Sequence, residues 1–122
     1  MAYGTVKADV LQSDTAGTPP QFNDGNGTQT GTLCRAWVNF DSSATILGSF
    51  NVSSVTKIST GQYKATFTNA MPNANFCSVK SQTGGSNVYI RNDVGDATTY
   101  TGVSFYTGAA FADLGGSIAV FR

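Results

Sequence analysis

Residues 34–40 read Cys-Arg-Ala-Trp-Val-Asn-Phe. Taken at a period of two, Cys34, Ala36, Val38 and Phe40 point one way. They form an unbroken apolar stripe, as a strand facing a sheet–sheet core requires. Leu33, Arg35, Trp37 and Asn39 point the other way. That second set is half apolar and carries the only tryptophan of the chain. A strand with one wet face would show Ser, Thr or Lys there. The expectation is a strand covered on both faces, by the domain core on one side and by a second subunit or a ligand on the other.

Further strand signals follow at short intervals from this stretch. Asp41-Ser42-Ser43 is a turn, and Thr45 to Phe50 and Val52 to Ile58 read as strands with a bulge near Ser53-Ser54. Thr60-Gly61 closes a hairpin onto Tyr63, Ala65 and Phe67, which alternate with Gln62, Lys64 and Thr66. Phe76 to Lys80, Val88 to Arg91, Gly102 to Tyr106 and Ser117 to Phe121 complete the set. Ala109 to Leu114 is too short for a stable helix. About eight short antiparallel strands with turns between them predict an all-β fold, a β-sandwich or jelly-roll-like domain over 33–122.

The amino-terminal part differs. Residues 4–12 alternate, with Val6, Ala8 and Val10 on one side and Thr5, Lys7 and Asp9 on the other. Residues 13–32 contain Pro19-Pro20, Asp24-Gly25 and Asn26-Gly27, with Phe22 as the only large apolar side chain before Leu33. A structureless loop of that length is uncommon inside a compact domain. Residues 1–32 are therefore expected to form an extended arm whose strand pairs with a neighbouring subunit or a larger assembly.

The composition narrows the function. The 122 residues are one domain's worth, and charged residues make up 11% against a typical ~25%. Seven cations balance seven anions, so no field draws the chain to nucleic acid or a membrane surface. No apolar run approaches membrane-spanning length, and no basic stretch followed by an apolar run marks a signal peptide. A surface with few charges has few groups that are costly to desolvate, which suits contact with identical copies.

The catalytic inventory is thin. There is no His and no Glu, so no Ser-His-Asp triad, Cys-His pair or imidazole ligand can be assembled. Asp14, Asp24, Asp41, Asp93 and Asp96 fall where turns are expected. Asp24-Gly25-Asn26-Gly27, and Asn92-Asp93 with Asp96, are oxygen clusters that read as turns rather than calcium loops. Lys7, Lys57, Lys64 and Lys80 stand singly, as on solvated strand faces. Cys34 and Cys77 lack a neighbouring base and read as two buried thiols, a disulfide being the alternative. The expectation is a non-enzyme with no metal and no cofactor.

Trp37 beside Arg35 has two readings. It packs in an interface, or it stacks a sugar ring with Tyr89 or Tyr106 extending the platform. The interface reading takes Leu33, Arg35 and Trp37, with Phe22, Val6, Ala8 and Val10 on the arm, as inter-subunit or docking residues. The glycan reading takes Tyr89, Asn92, Asp93, Tyr100 and Tyr106.

Gly31-Thr32-Leu33 with residues 34–40 resembles a domain widespread in tailed-bacteriophage virion proteins, mostly tail-fibre or virion structural proteins. The resemblance continues through Asn51 to Thr56, Thr60 to Tyr63 and Phe67 to Phe76. Met1 to Asp9 is similar to the start of many marine and cyanobacterial phage structural proteins. From Ser78 to Arg122 the resemblance thins, and Gly84–Asn87, Asn92–Tyr100 and Tyr106–Leu114 are the candidate exposed loops. The resemblance implies a homotrimer located on a virion, with other virion proteins and a host surface glycan as partners, and it carries no catalytic motif. A small fibre tip, a head fibre and a capsid decoration protein are alternative places for it, and a free carbohydrate-binding module is the alternative function.

Overall fold

The structure is a computed structural model that describes residues 21–23, 28–30 and 33–122. The chain divides into two compact units, Met1–Leu33 and Cys34–Arg122. In the first, β1 (Gln21–Asn23) pairs antiparallel with β2 (Thr28–Thr30), Phe22 standing opposite Gln29. The sequence shows no strand periodicity over 13–32, and both strands lie within that span. Asp-Gly and Asn-Gly between two short polar runs form a hairpin signal even without apolar alternation. The expected strand over 4–12, with Val6, Ala8 and Val10, lies outside the described residues.

The second unit is all-β, two antiparallel sheets packed as a sandwich. The first sheet has the order β4 (Ile46–Phe50), β3 (Cys34–Phe40), β11 (Gly115–Phe121), β7 (Cys77–Thr83). The second has the order β5 (Val52–Ser59), β6 (Gln62–Phe67), β10 (Tyr100–Tyr106), β8 (Tyr89–Arg91), with β9 (Asp96–Ala97) also pairing to β10. The expected bulge near Ser53-Ser54 is a register shift between Val52 and Ser54.

The inner faces follow the period-two reading. Ala36, Val38 and Phe40 from β3, with Ile118 and Val120 from β11, meet Tyr63, Ala65 and Phe67 from β6 and Val103 and Phe105 from β10. All are buried. The rings of Phe40, Tyr63 and Phe105 bridge the sheets at centroid distances of 5.2 to 6.5 Å, tilted as aromatic quadrupoles prefer. Fully burying each large side chain is worth about 1.5–3 kcal/mol, so this seam dominates the cohesion of the two sheets.

The chain crosses between sheets at Asn51, which adopts φ 54°. Its side-chain amide donates to the carbonyls of Arg35 (3.0 Å) and Asn69 (3.1 Å), and its carbonyl oxygen accepts from the Asn69 N–H at 2.7 Å. Asn tolerates the left-handed region because a short amide can satisfy local backbone groups there. At the β5–β6 hairpin, Gly61 (φ 66°) approaches the Ala112 backbone so closely that a Cβ would lie 2.7 Å from it. Only glycine fits both the dihedral and the space.

β7 reverses the pattern of its neighbours. Its register with β11 places Cys77, Val79, Ser81 and Thr83 outward and Ser78, Lys80 and Gln82 inward. Lys80, read from the sequence as solvated, has a side chain only 9% exposed and lies 3.8 Å from Asp96. Burial holds its ammonium below the usual lysine range, and Asp96 opposes that shift. Cys34 is half-buried and Cys77 exposed, both free, so the reading of two buried thiols is corrected at Cys77. Cys77 shares the phase of Val79, and that phase faces out.

Candidate functional site

The outer face of the first sheet is the largest departure from a wet surface. Register places Phe50 opposite Trp37, Trp37 opposite Ala119, and Ala119 opposite Val79. Directly opposed residues share a face, so these four side chains form one apolar row across all four strands. Phe50 is 56% exposed, Trp37 43% and Val79 57%. Leu33 and Leu47 are also exposed. The indole leans over Gly48, where a Cβ would stand 3.3 Å from its ring. The missing side chain lets the ring lie along the sheet. Between Trp37 and Val79 runs a shallow groove bordered by Asn39, Ser81, Ser117 and Ala119. The inner face of β3 is covered by the core as expected, whereas its outer face is exposed in the single chain.

The outer face of the second sheet carries a different cluster. Tyr89 on β8 stands opposite Tyr106 on β10, and Arg91 opposite Ser104. The Arg91 guanidinium lies over the Tyr106 ring at 5.3 Å and the Phe111 ring at 5.9 Å. Tyr106 and Phe111 meet edge to face at 5.3 Å. Arg91 also pairs with Asp93 at 2.8 Å. Nearby, Val94 sits on Gly102, where a Cβ would clash at 2.3 Å. Asn92 turns away to donate to Asp96 at 2.7 Å.

Of the five residues read as glycan contacts, Tyr89, Tyr106 and Asp93 are brought together. Asn92 supports Asp96, and Tyr100 stands apart on the same face with Lys64 over its ring at 5.6 Å. The shared platform of Trp37 with Tyr89 or Tyr106 is corrected. Trp37 lies outside one sheet and the tyrosines lie outside the other. Arg91 and Phe111 were missed, because their meeting depends on how the Thr107–Ala110 turn folds back. The Thr107 N–H and hydroxyl both donate to the Ala110 carbonyl, at 2.9 and 3.0 Å.

Asp113 is a well-partnered carboxylate that the sequence did not single out. It accepts from Lys57 Nζ (2.5 Å), the Gly61 N–H (2.7 Å) and the Tyr63 hydroxyl (3.5 Å). Lys57, then the Gly61 N–H, hold its carboxyl below the ordinary value. Burial, then Asp113, push the Tyr63 phenol up to about 12. Tyr63 also donates to the Ser42 carbonyl at 2.8 Å. A low-pKa carboxylate and a high-pKa phenol are both far from neutrality, unsuited to exchanging protons near pH 7. The group ties loops together at one end of the sandwich.

Asp41 accepts from the Ser43 and Thr45 N–H groups at 2.9 and 2.8 Å, a turn as the sequence indicates. Among the described residues no group of three or more acidic or cysteine side chains is placed to hold a metal ion. Among the described residues no helix is long and apolar enough to cross a membrane. No family model matches the chain, and no curated protein or solved structure shows significant similarity to it.

Proposed function

We propose that this chain is a non-enzymatic structural protein of a bacteriophage virion, assembling as a homotrimeric fibre element. The carrying observation is the row Phe50, Trp37, Ala119 and Val79 on the outer face of the first sheet. Large apolar side chains gathered on one face mark interaction surfaces. The reversed phase of β7 supports the same reading, since its apolar members point outward while polar ones occupy the interior. Arg35 and Trp37 share the outward phase of β3. The phage setting is supported by the resemblance of residues 31–76 to virion proteins.

The edges of the sandwich favour association through faces. β4 is interrupted by a register shift, β5 by two, and β8 has only three residues. β7 keeps a buried lysine facing inward. Each device obstructs addition of a further strand. Sedimentation of the full chain at micromolar concentration tests the proposal. A species of three times the 12.7 kDa chain mass is expected, and a stable monomer overturns it. Antibody labelling of purified particles then locates the protein.

A further inference from the structure

We propose that the Tyr89 face of the second sheet is a binding site for a neutral sugar ring. This stands independently of the virion reading, because it uses the opposite side of the sandwich from Trp37. Tyr89 is 63% exposed, on a strand fixed by its ladder to β10. Gly108 (φ 90°) leaves the edge of its ring uncovered, since a Cβ there would fall 3.5 Å from it. A large part of the ring's surface is therefore open. A flat, low-entropy aromatic with polar groups close by is what recognition of an amphipathic ring needs.

The neighbours decide which ring. Arg91 already occupies the cation position above Tyr106 and Phe111, so a ligand cation meets a like charge instead of an empty aromatic cage. Asp93 balances Arg91 at 2.8 Å, so the cluster has no net charge to capture a phosphate, sulfate or uronate. What remains is an uncharged polyol. Its C–H face stacks on Tyr89, and its vicinal hydroxyls meet the donors of Arg91, whose side chain is still 48% exposed, and the acceptor oxygens of Asp93. The Ser104 hydroxyl lies on the same face opposite Arg91, buried and without a hydrogen-bond partner among the described residues. The guanidinium is held by two rings and a carboxylate before any ligand arrives, so little side-chain freedom is lost on binding.

The test is nuclear magnetic resonance titration of the full chain with methyl glycosides of glucose, galactose, mannose and N-acetylglucosamine, and with sialic acid and glucuronate as charged comparators. At least one neutral glycoside is expected to shift the resonances of Tyr89, Arg91 and Tyr106, and neither acid to do so more strongly. Tyr89→Ala is expected to weaken that binding by about tenfold or more, about 1.4 kcal/mol. Tyr89→Phe keeps the ring and is expected to stay within about threefold of the parent. No response to any neutral glycoside, an equal response in folded Tyr89→Ala, or a stronger response to an acid overturns the proposal.

Discussion

Tyr63 is the residue on which the domain's alkaline behaviour turns. Its ring is fully buried, and its phenol ionises only at about 12 when folded. An unfolded tyrosine ionises near 10. Below that value both states carry the proton, and the contribution is fully present. As pH rises from about 10 to about 12, only the unfolded state releases it, so stability falls by roughly 2–3 kcal/mol. Tyr63→Phe removes the bond to the Ser42 carbonyl and costs about 1 kcal/mol at pH 7, but it cannot lose a phenolic proton. Urea denaturation at several pH values is expected to show parent and variant stabilities crossing above pH 10. Parallel curves would assign the alkaline loss to other groups. The burial of Tyr63 was legible from its alternation with Gln62 and Lys64. Its link to Asp113 was not, because the two are fifty residues apart in sequence. Asn51 was hidden differently. In a chain rich in Asn, Ser and Thr it does not stand out, and only its φ and three hydrogen bonds reveal the crossing pin.

At the scale of elements, alternation identified β3 by its unbroken apolar set and β6 by one apolar and one polar set. β7 defeated it. Cys77 and Val79 make the apolar phase, so the natural inference buries them and exposes Lys80; pairing with β11 does the reverse. Period two separates the faces of a strand without saying which faces inward. Neither could the sequence supply β9, whose two residues are placed by their pairing to Tyr100 and Thr101. The inward Lys80 has a consequence for association. An inward-pointing charge on an edge strand opposes the addition of a further strand alongside β7. Lys80→Met removes that obstacle. Asp96 retains its bonds from the Thr101 hydroxyl, Asn92 and the Gly102 N–H. Stability is therefore expected to stay within about 1 kcal/mol of the parent in urea. Light scattering at matched concentration is expected to show faster aggregation. Unchanged scattering would place the edge's protection elsewhere.

At the largest scale, the sandwich unit presents two dissimilar outer faces, an apolar row on one sheet and a charge-balanced aromatic cluster on the other. That division was only half legible. Trp37 marked its face in the sequence, but Phe50 and Val79 joined it through cross-strand register, which sequence spacing does not encode. Because Trp37 is the only tryptophan, intrinsic fluorescence reports directly on the first face. A chain that associates through this row transfers a partly exposed indole into an apolar contact. Its emission is expected to shift to the blue, and acrylamide quenching to fall, as concentration rises through the assembly range. Val79→Ser leaves the indole and its seat over Gly48 intact while placing a hydroxyl at the far end of the row. It removes about 1–2 kcal/mol of apolar burial per interface, enough to move the transition by roughly tenfold or more in concentration. A blue shift that tracks concentration in the parent and moves to higher concentration in Val79→Ser ties assembly to this face. Emission independent of concentration, with the sedimenting mass still changing, would show that chains meet elsewhere and leave the Trp37 row open to solvent in the assembled state.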